Sequence, residues 1–353
     1  MIGIIYIGQI ELSPFVKKYT AVMQSENVPY EIIHWNRSGT PMPDDETNHT
    51  FSEQLDRYGS LIGKILPFFR FRKFALNLIK EKKYEKLIIL TTQTAVMLPD
   101  ILRGRYKGKY FFDYRDTSYE YKRFYKRAVD SVILNSRFTC ISSPGFREYL
   151  TNKKELIVAH NFQYDYYNNR ALKCTKSRSD KITVGYIGYL REYEYLAKFA
   201  DMFGADSRFE FHIHGSGDSE DKLRSHAVKY DNVRVFGAYD EADKMDIVDS
   251  FDIICYNYPC NFVNYPAVAN KFYDGIIRKK PMFGNSDTFS GKLINKHGLG
   301  ISLKENEENI TDKLFRYYNS FDEAEFDLCC EDLLKKIIEE DKYYTDKIRE
   351  FVT

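Results

Sequence analysis

Short stretches of this 353-residue chain carry side chains able to do chemistry. "FDYRDTSYEY" runs an apolar strand pattern into Asp113, Arg115 and Asp116. Two carboxylates beside one guanidinium suit an ion pair that leaves one carboxylate over. The remaining carboxylate is a candidate general base or hydroxyl-binding group, so Asp113 and Asp116 are the candidate catalytic residues and Arg115 a candidate acceptor contact. "GYIGYLREYEYL" sets Arg191 just past Gly188. A guanidinium there can clamp a diphosphate with charge-assisted hydrogen bonds of roughly 1.5–3 kcal/mol each. "HIHGSGDSEDKL" places Gly215, Ser216 and Gly217 between a strand and a helix. Glycines let the backbone approach a ligand, and a helix N-terminus favours phosphate. The same residues also suit a tight turn capped by Ser216 or Asp218. His214, at the strand end, joins the site candidates, whereas His212 reads as structural. "NKFYDGIIRKKPMFGN", 270–285, puts Asn270, Lys271 and Asp274 at helical spacing ahead of a basic triplet, a proline and an apolar strand.

What is missing narrows the chemistry. There is no G-x-x-x-x-G-K-[ST] and no G-x-G-x-x-G after either first strand, which argues against a P-loop NTPase and a dinucleotide dehydrogenase. No Ser/His/Asp or Cys/His nucleophile pattern stands out, and no good D-x-D follows a strand. The six cysteines form no C-x-x-C pair and no four-ligand metal set, so no metal or other cofactor is expected and a reduced, cytoplasmic protein is. Net charge is +1, which excludes a globally basic nucleic-acid binder. The charge is divided unevenly. Residues 1–165 carry 25 Lys+Arg against 18 Asp+Glu, and residues 166–353 carry 27 against 33. That asymmetry suits halves with different partners. The N-terminus lacks a basic lead and a long apolar run, so neither a signal peptide nor a membrane-spanning helix is expected.

The elements that must hold these residues are short apolar runs alternating with amphipathic ones. "IIYIG", "YEIIHW", "KLIILT", "KYFFDY", "FTCIS" and "LIVAH" read as strands in the first half, with helical candidates at 93–104 and 118–134. The pattern restarts with "ITVGYIGYL" and continues through "FEFHIHG", "NVRVFG", "FDIICY", "PMFG" and "LGISL". Alternation of this kind predicts parallel sheets with crossover helices, and ligands then bind beyond the carboxyl ends of the strands. Residues 36–50 read as a mobile loop. The expected division is a domain over 1–165, a linker over 166–181, a second domain over 182–328, and a terminal helix over 329–353 packing back on the first domain. Residues 60–86 mix Phe68, Phe69 and Phe71 with Lys64, Arg70, Arg72, Lys73, Lys80, Lys82, Lys83 and Lys86. This stretch can lie on an anionic bilayer or form a core helix with a solvated basic face.

At this point the chain resembles a known group. "VGYIGYL", "FHIHGSG", "NVRVFGAYDEADKMDIVDSFDIICYNYP", "NKFYDGIIRKKPMFGN" and "GLGISL" follow in the order of the donor domain of GT-B glycosyltransferases. They are similar to the family-four enzymes of bacterial capsule and surface polysaccharide pathways. "FFDYRD", "CISSPGFREYL" and "IVAHNF" extend the resemblance through the first half. It implies an α/β GT-B fold of two Rossmann-like parallel-sheet domains facing across a cleft. It also implies a nucleotide-sugar held by the second domain and a saccharide or lipid-linked acceptor held by the first, near Gly8. Asp274 falls seven residues before Pro281, where the family's ribose-binding glutamate sits. Asn270 and Lys271 match the start of that helix, which assigns Lys271 to a phosphate. The family's other glutamate lies eight residues earlier, at Pro266 here, and of its diphosphate-binding Arg and Lys only Arg191 is close. Lys279 and Lys280 are expected in a solvated turn.

The activity implied is metal-independent glycosyl transfer, of hexosyl type, in surface or capsular polysaccharide biosynthesis. The enzyme would be cytoplasmic or peripheral on the inner face of the plasma membrane. An inverting enzyme would use Asp116 or Asp113 as base, and a retaining one the donor phosphate. Two other readings stay open: a GT-B nucleotide-sugar epimerase, and a non-catalytic partner in an assembly complex.

Overall fold

The computed structural model describes residues 1–10, 13–38, 46–54, 61–151, 153–176 and 179–353. They form two compact units, Met1–His160 with Glu339–Thr353, and Asn161–Ile338. In the first unit the strands are β1 (Ile2–Tyr6), β2 (Tyr30–Asn36), β3 (Asn48–Ser52), β4 (Lys86–Leu90), β5 (Tyr110–Tyr114), β6 (Phe138–Ile141) and β7 (Ile157–Val158). They pair in the order β3-β2-β1-β4-β5-β6-β7, all parallel. Its crossover helices are α1 (Val16–Ser25), α2 (Leu61–Lys82), α3 (Thr92–Met97), α4 (Pro99–Arg103) and α5 (Arg123–Asn135). The central strands are buried along nearly their whole length, which is why they read as continuous apolar runs.

The second unit repeats the scheme. α6 (Tyr164–Asn168) precedes β8 (Ile182–Ile187), α7 (Tyr193–Gly204), β9 (Phe209–His214), α8 (Glu220–Ala227), β10 (Val233–Gly237) and α9 (Lys244–Asp249). Then come β11 (Ile253–Tyr256), α10 (Asn270–Ile277), β12 (Met282–Asn285), α11 (Phe289–Lys296), β13 (Gly300–Leu303), α12 (Ile310–Ser320) and α13 (Glu323–Val352). The sheet order is β10-β9-β8-β11-β12-β13, again parallel. β9 and the edge strand β10 alternate because their residues are buried on one face only. His212 and His214 lie on the other face.

α13 is 30 residues long. Phe326, Cys330, Leu333, Leu334 and Ile337 pack in a core of the second unit, and Tyr344, Ile348, Phe351 and Val352 in a core of the first. The spacing is that of one apolar helical stripe. The last turns are anchored in the first unit by polar contacts as well. Lys18 bonds the buried Asp341, and His160 Nε2 lies 2.6 Å from Glu340 Oε2.

Several expectations are corrected. Of the loop expected over 36–50, residues 39–45 lie outside the described residues, but Asn48–Ser52 is strand β3. Its polar, half-exposed sequence at the sheet edge carries little strand signal. Residues 164–168 are helical where a linker was expected to begin, and residues 177–178 of that linker lie outside the described residues. In α2, Phe71 is buried against Trp35, with ring centroids 5.8 Å apart, and Phe68 packs edge-on at 5.0 Å. Neither faces outward. Ile65, Leu66 and Phe69 do. Ser60 and the Lys64 side chain lie outside what the structure describes.

Candidate functional site

In each sheet the chain reverses its direction of travel at one point, between β1 and β4 and between β8 and β11. Loops leaving these strands diverge there and open a crevice at their carboxyl ends. In the second unit the crevice is edged by residues 188–192 and by the segment after β11. α10 carries Lys271 and Asp274, both buried. Lys271 Nζ lies 3.4 Å from the centroid of the Tyr186 ring and 4.7 Å from that of Tyr258. It has no hydrogen-bond partner among the described residues. Burial holds its pKa down at about 7, against the opposing pull of Cys255 and Asp274. Arg191, exposed, lies over Tyr189 at 5.3 Å; burial raises the pKa of both Tyr186 and Tyr258, and the charge of Arg191 opposes that rise. Arg191 and Lys271 therefore both act on the same pair of tyrosines, Lys271 by contact and Arg191 by charge.

Asp274 is held by a residue from outside its helix. Lys244 Nζ, itself buried, lies 3.1 Å from Asp274 Oδ2. Burial pushes the Asp274 carboxyl up to about 6, with Lys244 opposing the shift. Asn270 is exposed at the first turn of α10. Lys279 is fully buried, 2.8 Å from Glu331, and Lys280 donates to the Asp249 carbonyl at 2.8 Å. The expected solvated turn is instead an anchor for α10, because the helix ends under α13 rather than at the surface.

The glycine loop is spoken for by the protein itself. Gly215 has φ +138°, and a Cβ there would stand 1.8 Å from the Gly188 carbonyl oxygen. Gly217 has φ +153°, and its Cβ would meet the Leu190 oxygen at 2.5 Å. Gly215 N–H donates to Gly237 O at 2.7 Å, Gly188 N–H to His214 O and Leu190 N–H to Ser216 O at 3.0 Å. These glycines allow two backbone segments to touch, so close ligand approach is not what demands them. Ser216 is exposed, and acidic Glu220 and Asp221 occupy the first turn of α8. Gly188 is different: φ is +133° and its missing Cβ would face open space. The His214 ring stacks flat on Phe236 at 4.2 Å, and burial holds its pKa at about 4, so it is neutral and occupied.

In the first unit Asp113 is completely buried. Tyr19 donates its hydroxyl to Oδ2 at 2.8 Å, and Arg115 Nε lies 2.9 Å from Oδ1. Arg115 is buried too, its guanidinium over the Phe15 ring at 4.5 Å. The two hold each other beneath the strand ends, out of reach of an acceptor. Asp116 is exposed and acts on the Tyr6 hydroxyl through its charge. It is the carboxylate of this group that can meet a ligand. Gly8 is buried, and a Cβ there would strike the Tyr6 ring at 2.4 Å, so packing explains it. Beside it, Thr91 at the end of β4 has φ +72°, an uncommon conformation for a β-branched residue. Among the described residues, no group of three His, Cys, Asp or Glu side chains is placed to hold a metal ion.

No family model matches this chain, and no curated protein matches it. Several solved structures are similar over their full length. The E. coli structure of trehalose-6-phosphate bound with UDP-2-fluoro glucose covers 99% of this chain and 99% of its own, with a TM-score of 0.70 at 8% identity. Anabaena HepE in complex with UDP covers 99% of both chains, with a TM-score of 0.65 at 10% identity. Sucrose-phosphate synthase from Thermosynechococcus elongatus covers 99% of this chain and 93% of its own, with a TM-score of 0.65 at 11% identity.

The fold is GT-B. Identities this low establish architecture and nothing finer, so any ligand site has to be argued from this chain's own side chains. The structure puts Lys271 and Arg191 near the same pair of tyrosines, Gly188 at the end of β8, and Asp274 one turn along α10 from Lys271, paired with Lys244. It turns His214, Gly215, Gly217, Asp113, Arg115 and Gly8 to packing. Three residues that pack against Lys271 or Asp274 carry no signal in the sequence: Tyr186, Tyr258 and Lys244. The tyrosines sat inside apolar runs, and Lys244 sat in "DEADKMD", which reads as an ordinary charged helix start. Only the pairing of β8 with β11 and the packing of α9 on α10 bring them to Lys271 and Asp274.

Proposed function

We propose that the chain is a nucleotide-sugar-dependent glycosyltransferase whose donor site is the β8–β11 switch point of the second unit. The observation that carries this reading is Lys271, a fully buried ammonium with no hydrogen-bond acceptor, one helical turn ahead of a buried carboxylate. Burying a cation without an acceptor is costly, and an anionic ligand removes that cost. A nucleoside diphosphate sugar supplies the anion for Lys271 and Arg191 and ribose hydroxyls for Asp274. The GT-B neighbours described with UDP or UDP-2-fluoro glucose support the same ligand class.

In the proposed reaction the acceptor oxygen forms a bond to the anomeric carbon as the bond from that carbon to the diphosphate oxygen breaks. The hydroxyl proton leaves to a base, and the nucleoside diphosphate departs with its electron pair. Asp116 is the residue proposed for the proton if the transfer inverts. If it retains, the departing phosphate takes it. Lys271 and Arg191 stabilise charge developing on the diphosphate, the role of preorganised cations in a water-poor site. Transfer without a metal, a hexosyl group, and a saccharide or lipid-linked acceptor of surface or capsular polysaccharide complete the proposal. Docking on an anionic membrane through Ile65, Leu66 and Phe69 and the neighbouring basic residues of α2 goes with it.

The test is calorimetric titration of UDP, GDP and ADP and their sugars into the folded chain, followed by transfer assays. Binding of at least one, lost at least about tenfold in Lys271→Met and in Asp274→Ala, is expected. A folded sample that binds none of them sinks the reading. For the membrane, flotation with anionic vesicles is expected to carry the wild type and to lose Phe69→Glu.

A further inference from the structure

Three buried charges converge on α10, and they do not cancel. Lys244, Lys271 and Asp274 are 5%, 4% and 3% exposed. Lys271 and Asp274 are spaced i, i+3 on one helix, the spacing at which such a pair ordinarily meets. Here Lys244 reaches in from the start of α9 and takes the carboxylate, Nζ to Oδ2 at 3.1 Å. Its other neighbours are the largely exposed Glu241 at 3.7 Å and the Tyr166 ring at 5.1 Å. Lys271 faces the Tyr186 ring of β8, the Tyr258 ring after β11 and Cys255 of β11, with Asp274 on its own helix. Arg191 and Glu192 act on Tyr186 from the segment after β8. None of these accepts a hydrogen bond from Lys271 Nζ.

We propose that Lys244 is a positioning residue of the donor site: by pairing with Asp274 it holds that carboxylate for ligand hydroxyls and leaves Lys271 to the ligand's anion. The role rests on the nucleotide-donor reading above. Lys244 itself need not touch the ligand. With its ammonium gone, the nearest cation for Asp274 is Lys271. The two then neutralise each other along the helix, and the site loses its anion-binding charge and its hydroxyl acceptor together.

The experiment is titration of UDP, with GDP and ADP in parallel, into wild type, Lys244→Met, Lys244→Arg and Lys244→Met/Asp274→Asn between pH 6 and 9. Lys244→Met is expected to weaken binding about tenfold, and Lys244→Arg to stay within about threefold of wild type. The pH dependence separates positioning from mere support. Wild-type affinity falls as pH rises through neutrality and Lys271 loses its proton. In Lys244→Met that fall moves upward by about one pH unit, because Asp274 now favours the charged Lys271. The double variant removes both members of the pair, carries no orphaned carboxylate to unfold it, and is expected to keep the fall with rising pH where the wild type has it. Lys244→Met with wild-type affinity and pH dependence overturns the role of Lys244 and leaves the donor reading standing. A double variant whose profile moves as Lys244→Met does overturns it as well. A folded wild type that binds none of the three nucleotides overturns the donor reading, and this role with it.

Discussion

A lysine and an aspartate on one short helix carry most of the chemistry argued for this chain, and their burial makes them act through pH. Lys271 titrates at about 7 instead of 10.5, and Asp274 at about 6 instead of 3.8. An anionic, hydroxyl-bearing ligand needs the first protonated and the second ionised. Nucleotide affinity is therefore expected to peak between about pH 6 and 7 and to fall on both sides, the acid limb disappearing in Asp274→Asn and the alkaline limb in Lys271→Arg. The same shifts have a stability side. Between about 7 and 10.5 the unfolded chain holds a proton on Lys271 that the folded chain has lost, so this residue's contribution rises with pH across that window. Asp274 works oppositely: the folded chain holds the extra proton between 3.8 and about 6, so its contribution falls as pH rises there. Burying a charge that has no acceptor costs free energy that an apolar side chain of similar size does not. Lys271→Met is accordingly expected to raise the urea midpoint of the ligand-free chain at pH 6 while abolishing nucleotide binding. A variant that loses both would show that Lys271 serves packing rather than a ligand.

At the scale of elements, the contact between the β8 and β9 loops decides how the switch point is shaped. Gly215 and Gly217 carry positive φ and face backbone oxygens, so neither accepts a side chain. Gly215→Ala is the sharper case, since its Cβ falls 1.8 Å from Gly188 O and the loops cannot part without losing the hydrogen bonds that join them. It is expected to cost on the order of 3–5 kcal/mol by urea unfolding, at the upper end for a single substitution. If Gly188→Ala, which meets only open space but shares the positive φ, costs as much, then backbone strain rather than the close contact is responsible. The strand pattern "HIHGSG" made this loop visible. What it is used for followed from which backbone lay across it.

For the whole molecule, α13 is the element that gives residues to both units. Its closing turns bury Tyr344, Ile348, Phe351 and Val352 in the first unit, and Asp341 accepts from Lys18 beside them. Asp341→Ala leaves a half-buried ammonium without its carboxylate. With allowance for the partial exposure of Lys18, a loss of about 2–3 kcal/mol is expected in urea unfolding of the first unit. Lys18→Met/Asp341→Leu is expected to recover most of it. Recovery would show that charge pairing, and not the helix contact itself, was lost.

The strands of both sheets, apart from β3, were legible in the sequence: the central ones because a strand buried on both faces must be apolar along its length, β9 and β10 because burial of one face gives alternation. Their alternation with helices determined the parallel architecture, and the 270–285 stretch pointed to α10, Lys271 and Asp274. β3 escaped because its sequence, NHTFS, is polar and no residue of it is fully buried, so it carries neither an apolar run nor a clear alternation. The use of each polar residue was decided only by tertiary structure. Asp113 and Arg115 look like site residues beside Asp116 until packing buries the first two together. Gly215 and Gly217 look like a phosphate loop until Gly188 and Leu190 are found against them. Lys244 lies 30 positions before Asp274 and becomes its partner only when α9 packs beside α10. Hydrophobic periodicity is a local property that each segment carries by itself. Charge compensation is a property of whichever groups folding brings within about 4 Å, and no local pattern encodes it.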